Sequence, residues 1–146
     1  MRKIIIISGH GNYAAGIRST LELLAGKNED LFYVDFTAED TDITLKEKFK
    51  AIVEDNRDSE ILFVCDLLGG TPFKVAAEIS NSSDRMELVA GCNVGGILEM
   101  VFSKDAYSIE ELADKMVEQS KNSTLRFKKI DISSKTVINV PDGDGI

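Results

Sequence analysis

The sequence predicts an α/β fold: a three-layer sandwich with a mainly parallel four-stranded sheet, helices on both faces, and a C-terminal edge strand that two subunits could exchange. One observation and one general rule support this prediction. Short apolar runs alternate along the chain with segments whose apolar residues recur at helical spacing, in the order βαβαβαβα. Parallel neighbours need crossover connections, and right-handed crossovers place helices on both faces of the sheet.

The first half of the chain supplies two strands and two helices. Residues 3–8 form a continuous apolar run, and 13–24 carry apolar residues at helical spacing until Gly26 ends the pattern. A second apolar run, 31–36, leads through an acidic loop into a helix predicted over 45–56. These segments make the first two strand-and-helix units.

The second half repeats this order with two strands and three helices. The strands are predicted at 61–65 and 86–90, and the helices at 72–80, 96–102 and 108–121. Pro72 suits the first turn of its helix, since the N–H that proline lacks has no partner there. The chain should therefore fold around one sheet.

The C-terminal segment departs from this pattern. Residues 125–132 and 136–140 alternate apolar and polar side chains, as half-exposed strands do. The two runs could form an edge hairpin, or one of them could pair with another subunit. We accordingly expect one domain over 1–132 and a C-terminal strand or tail over 133–146.

Composition narrows the class of function. The chain has 146 residues, enough for one domain with a proper core, and a formal net charge of −8, which opposes binding to nucleic acid or to anionic lipid surfaces. No apolar run approaches a membrane span, and the apolar run after Met1 is too short for a signal peptide, so a cytoplasmic protein is expected. The two cysteines, Cys65 and Cys92, lack metal-site spacing and are interpreted as buried thiols.

His10 is the only histidine, and it lies in Ser8-Gly9-His10-Gly11-Asn12, between the first strand and the first helix. In an open α/β sheet, ligands bind at the carboxyl ends of the strands, where N–H groups of the following helix point toward them. A neutral imidazole is also a nucleophile near physiological pH. The alternative is a histidine that caps a helix or packs under a loop.

Three glycine-rich loops follow the first, third and fourth strands, at 9–11, 66–72 and 91–96. Glycines let backbone N–H groups turn toward a ligand, so Gly69 and Gly70, with the hydroxyl of Thr71, resemble an anion cradle. The loop is not a Walker motif, since no Lys-Ser or Lys-Thr follows, and the glycine spacing of the first loop does not match a dinucleotide fingerprint. A simple tight turn at Gly69 and Gly70 remains open.

Asp66 is the acid expected to act on His10, because both residues end strands that should be neighbours or near neighbours. A carboxylate that accepts a hydrogen bond from one ring nitrogen leaves the lone pair of the other nitrogen free to attack. A local turn is the alternative role for Asp66. A zinc site built from His10, Asp66, Cys65 and Cys92 is disfavoured, because adjacent strand residues point to opposite faces. No metal and no cofactor is expected.

Three motifs together resemble one family. They are SGHGNYAAG at 8–16, CDLLGGTPFKVAA at 65–77 and LVAGCNVGGILE at 88–99. This set is similar to the IIA domain of the mannose family of the sugar phosphotransferase system. The resemblance implies that His10 accepts a phosphoryl group on Nε2, that Asp66 holds Nδ1, and that Gly69, Gly70 and Thr71 donate hydrogen bonds to the phosphoryl oxygens. Gly11, Asn12 and Asn93 would border the pocket.

The resemblance also implies partners. The phosphoryl donor would be the carrier protein HPr, the acceptor a IIB subunit on a separate chain, and the assembly a homodimer that meets the membrane only through the IIC and IID transporter. Family members often carry an aromatic residue where Leu68 stands and a proline near Gly95, so docking contacts could differ here. The alternatives are a phosphocarrier subunit of a dihydroxyacetone kinase and a non-catalytic module that binds an anion or nucleotide.

Overall fold

The computed structural model describes residues 1–132. In that part of the chain, four strands alternate with five α-helices, and a short 3₁₀ turn precedes the last helix. The elements are β1 (Lys3–His10), α1 (Tyr13–Ala25), β2 (Leu31–Phe36), α2 (Asp42–Asp55), β3 (Glu60–Cys65), α3 (Thr71–Ser80), β4 (Met86–Ala90), α4 (Val94–Ser103), the 3₁₀ turn Lys104–Ala106 and α5 (Ile109–Asn122).

The strands form one parallel sheet in the order β2-β1-β3-β4. β1 lies in the middle, with Ser8 opposite Val34 of β2 and Cys65 of β3. Because the strands are parallel, the ends of β1 and β3 lie side by side at the carboxyl edge. The predicted fold class is confirmed for the sheet and for the helices on its two faces.

The alternating side chains of the strands divide the core into two layers. Ile5 and Ile7 pack with residues of α1, α4 and α5, whereas Ile4 and Ile6 pack with residues of α2 and α3. All four isoleucines are fully buried. A strand buried on both faces reads as a continuous apolar run, which accounts for the four successive isoleucines of β1.

The ends of the helices depend on caps. α2 begins at Asp42, three residues before the predicted start, because Thr41 and Thr44 form a reciprocal capping box. α4 begins at Val94, because the Asn93 side chain accepts a hydrogen bond from the N–H of Gly96. Both caps lie in loops at the carboxyl edge of the sheet.

The C-terminal segment differs from the prediction. Residues 125–131 lie outside any helix or strand, and the apolar side chains of this segment are exposed, with Leu125 at 75% and Phe127 at 69%. An alternating segment needs the open edge of a sheet to pair with, and within residues 1–132 this segment is paired with none. The second predicted strand, 136–140, and the whole tail 133–146 lie outside the described residues. None of the described helices is long and apolar enough to cross a membrane.

Candidate active site

The imidazole of His10 and the carboxylate of Asp66 meet at the carboxyl edge of the sheet. His10 is the last residue of β1, and Asp66 directly follows β3. His10 Nδ1 lies 2.8 Å from Asp66 Oδ2, and the backbone N–H of His10 donates to the same oxygen at 2.9 Å. The His10 side chain is 44% exposed and that of Asp66 12%, so the imidazole faces solvent above a largely covered carboxylate.

The hydrogen bonds fix which ring nitrogen carries the proton. Burial raises the pKa of Asp66, but hydrogen bonds from the backbone and ring of His10 and from the N–H of Leu67 outweigh it, so the pKa lies below its ordinary value. Asp66 is thus an acceptor at neutral pH, and Nδ1 of His10 must be the donor. The lone pair of Nε2 is then free to act as a nucleophile.

Two glycines make this arrangement sterically possible. A Cβ atom on Gly70 would lie 2.7 Å from Cε1 of the His10 ring, and one on Gly9 would lie 2.8 Å from Cγ of Asp66 and 2.5 Å from Cδ1 of Tyr13. Contacts this short would force the ring or the carboxylate to move. The absent side chains at Gly9 and Gly70 therefore let the pair approach the backbone.

The loop after β3 leads from the site into α3. Gly69 has a φ of +80°, a conformation that glycine adopts without strain, and Gly70 is the N-terminal cap of α3. No side chain caps this helix, so the N–H groups of its first turn, beside the His10 ring, have no side-chain acceptor. Thr71, its first residue, also lines a groove of about 410 Å³ with Phe36 and Lys74. A helix N-terminus in this position favours an anion.

The loop after β1 begins directly after His10 and leads into α1. Gly11 has a φ of +60°, and its N–H donates to the carbonyl of Phe36 at 2.7 Å. Asn12 is the N-terminal cap residue of α1, but its side chain makes no capping hydrogen bond and the residue is exposed. Both residues follow His10 directly along the chain, and their assignment to the pocket rim stays a prediction.

Asn93 follows β4 at the same edge of the sheet, but its side chain is engaged elsewhere. Its amide accepts from the N–H of Gly96 and donates to the carbonyl of Ser120 and to the hydroxyl of Thr124. These bonds join the start of α4 to the end of α5. In the described residues, the structure brings His10, Asp66 and Gly70 together. The side chain of Asn93 instead forms hydrogen bonds with α4 and with the end of α5.

Two aromatic residues at the site were not predicted from the sequence. The rings of His10 and Phe36 lie 5.9 Å apart between centroids, at an interplanar angle of 89°. Tyr13 lies beside Asp66, and its pKa is raised, first by burial and then by the charge of Asp66. The register of β1 with β2, which pairs His10 with Phe36, is the signal that could have identified Phe36.

The cysteines belong to the core rather than to the site. Burial raises the pKa of the Cys65 thiol to about 12, and it also raises that of Cys92. Cys65 packs on the α2 and α3 side, whereas Cys92 packs on the α1, α4 and α5 side. Among residues 1–132, no three His, Cys, Asp or Glu side chains are grouped so that they could hold a metal ion.

The whole chain can be compared with known proteins. Residues 4–117 match the model of a family described as the PTS system fructose IIA component, where PTS denotes the phosphotransferase system. A fructose-specific EIIA component of the same system from Bacillus subtilis (strain 168) is 29% identical over 120 residues, which cover 82% of each chain.

Two further proteins extend the comparison. The mannose-specific EIIAB component of Escherichia coli (strain K12) is 30% identical over 126 residues, which are 85% of this chain and 39% of that longer protein. The solved structure of a mannose/sorbose-specific IIA subunit from Enterococcus faecalis superposes with a TM-score of 0.83 at 25% identity, covering 90% of this chain and 99% of that one.

Proposed function

The chain belongs to the mannose- and fructose-type IIA components of the sugar phosphotransferase system, and from this premise we propose that it carries a phosphoryl group on His10. HPr would be the donor and a IIB subunit the acceptor. The observation that supports this most directly is the 2.8 Å contact between His10 Nδ1 and Asp66, which leaves Nε2 free on a side chain that is 44% exposed.

The transfer needs few steps. The Nε2 lone pair attacks phosphorus in line, the new N–P bond forms as the N–P bond of the donor phosphohistidine breaks, and the electron pair of that bond returns to the donor ring. The phosphorylated ring carries positive charge, which the Asp66 carboxylate stabilises through Nδ1–H. Transfer to the acceptor reverses the same steps.

The loop between β3 and α3 suits the phosphoryl oxygens. We assign to Gly69, Gly70 and Thr71 the hydrogen bonds to these oxygens, with N–H groups at the uncapped start of α3 and the Thr71 hydroxyl as donors. Gly11 and Asn12 border the opposite side. Asn93 would shape the rim of the pocket indirectly, by fixing the loop after β4, because its amide is hydrogen-bonded to α4 and α5.

The net charge of −8 agrees with a donor that presents a basic surface, since opposite charges speed the encounter of two proteins. We propose a cytoplasmic homodimer that reaches the membrane only through the IIC and IID transporter and that requires no metal or cofactor for the transfer.

The test is phosphorylation by the general components of the system with labelled phosphoenolpyruvate. Wild type should take up one label per chain in an acid-labile, base-stable adduct, and His10→Ala should take up none. Label in the His10→Ala variant would refute the assignment of the site. No uptake by a folded wild-type protein would instead favour a non-catalytic module, and delivery of label to a dihydroxyacetone kinase but not to a IIB subunit would favour the related phosphocarrier.

A further inference from the structure

We propose that Phe36 is a positioning residue that holds the imidazole of His10 in the orientation in which Nδ1 meets Asp66 and Nε2 faces solvent. Its effect on catalysis rests on the proposed function, whereas its effect on the ring can be tested without it. Phe36 would not touch the phosphoryl group; it would act through His10.

The ring of His10 has neighbours on three sides. Asp66 accepts from Nδ1, the backbone of Gly70 lies against Cε1, and the ring of Phe36 stands perpendicular to the imidazole at 5.9 Å between centroids. Perpendicular aromatic pairs at this distance attract each other beyond simple burial. Phe36 is therefore the one apolar contact in this set, and it is directed at the ring itself.

The phenyl ring is held firmly enough for this role. Phe36 is the last residue of β2, where it pairs with His10, and its carbonyl accepts the N–H of Gly11 at 2.7 Å. Its side chain is half-buried against the core layer formed with α2 and α3. Its place at the strand end and its packing against this layer restrict the positions that the phenyl ring can take.

The imidazole needs such a restraint because rotation about its χ2 angle is soft. The χ2 torsion of histidine has broad, roughly two-fold minima, and a half turn would exchange the positions of Nδ1 and Cδ2. The bond to Asp66 resists this rotation at one atom only. An aromatic contact of ordinary strength would favour the native orientation by about 3- to 10-fold.

The first experiment measures the ring in the unphosphorylated protein. ¹⁵N NMR of His10 at a pH where the ring is neutral reports the fraction in which Nδ1 carries the proton. In Phe36→Leu, the fraction with the proton on Nε2 should rise by about 3- to 10-fold relative to wild type, and Phe36→Tyr should restore the wild-type ratio.

The matched control is Phe32→Leu. Phe32 lies on the same face of β2, four residues before Phe36, and is partly buried against the same core layer. Both leucine variants lose an aromatic side chain from that layer, but only one loses the contact with His10. Equal tautomer ratios in wild type and Phe36→Leu, or equal changes in Phe36→Leu and Phe32→Leu, would overturn the proposal.

The second experiment measures transfer from phosphorylated HPr. Phe36→Leu should lower kcat at unchanged KM, by the same factor as the loss of the native ring orientation measured by NMR, because a ring in the wrong orientation binds the donor but does not react. A higher KM at unchanged kcat would overturn the proposal and make Phe36 a docking contact. If wild type accepts no phosphoryl group, the proposed function fails, and the tautomer measurement still decides the role of Phe36.

Discussion

Both oxygens of the Asp66 carboxylate are fixed by hydrogen bonds. Oδ2 accepts from the backbone N–H of His10 and from its ring, and Oδ1 accepts from the N–H of Leu67 at 2.8 Å. The carboxylate therefore cannot turn away from the imidazole without losing backbone partners. The function of Asp66 should therefore be lost even in a substitution that keeps the shape of the side chain and removes its charge.

Asp66→Asn is such a change. Its carboxamide lacks the charge that stabilises the phosphorylated ring, and its NH₂ group can face Nδ1 and favour the wrong tautomer. We expect the fold to persist and the rate of phosphorylation to fall by about 10²–10⁴-fold, measured by rapid-quench labelling. A variant that is phosphorylated at the wild-type rate would make Asp66 a turn residue only.

Gly70→Ala tests the approach of the ring to the backbone. The new Cβ would lie 2.7 Å from Cε1 of His10, so the ring must move, while the φ of −72° at Gly70 suits alanine. A displacement of about 1 Å can cost about 10²-fold in rate. Gly16→Ala is the control, because nothing lies near its Cβ. Equal labelling rates in the two variants would contradict a close approach at Gly70.

The sequence allowed His10 and Asp66 to be paired, because adjacent parallel strands end at one edge and each strand was visible as an apolar run. The contact with Phe36 and the covering of Asp66 by Tyr13 were not predicted. They depend on the register between β1 and β2 and on the absence of a side chain at Gly9, which brings Tyr13 against the site. Neither property follows from the spacing of residues along the chain.

Among the helices, α4 and α5 cross at a point where no side chain fits. A Cβ atom on Gly96 would lie 2.1 Å from Oγ and 2.7 Å from the backbone nitrogen of Ser120. Gly96→Ala should therefore lower the free energy of unfolding by about 1–3 kcal/mol in urea titration. Gly16→Ala, at an open position of α1, should raise it by about 0.5–1 kcal/mol. Destabilisation of similar size in both variants would contradict this account.

Strand β4 carries an unfavourable charge. Burial raises the pKa of Glu87 above its ordinary value of 4.5, and the nearby Glu110, Asp114 and Asp84 raise it further. Ionised Glu87 therefore opposes folding, and this penalty appears as the pH rises through the folded pKa. Glu87→Gln should unfold at a higher urea concentration than wild type at pH 7, and the difference should vanish below about pH 4, where the folded and unfolded chains are both protonated. A difference that persists at low pH would exclude this cause.

The bounds of the elements were predicted well where the burial of apolar side chains determines them. They were predicted less well where a single helix cap or a pairing partner determines them. β2 and β4 have the predicted bounds, because apolar runs bounded by loops mark buried strands. α2 begins earlier than predicted, because the reciprocal bonds of Thr41 and Thr44 outweigh the start of the apolar pattern. Residues 125–131 do not form the predicted strand, because strand pairing needs a partner that the alternation of side chains cannot supply.

At the scale of the whole molecule, the edge of the sheet and the C-terminal segment have complementary properties. In the described residues, β4 has a strand neighbour only on its β3 side, and Glu87 of β4 has three acidic residues near it. The segment 125–132 exposes apolar side chains and also carries Arg126, Lys128 and Lys129. A basic strand laid along β4 would reduce the charge repulsion there and cover the apolar residues.

We therefore expect a dimer in which segment 125–132 of each chain completes the sheet of the other. Folding would then be coupled to association, so the thermal midpoint should rise with protein concentration. A chain that ends at Thr124 should be monomeric, unstable or insoluble, because it lacks the strand that covers the open edge. Sedimentation over a range of micromolar concentrations checks the first expectation, and thermal unfolding of both chains checks the second. A monomeric wild type and an equally stable truncated chain would exclude the exchange, and the apolar residues at 125–132 would then need a different partner.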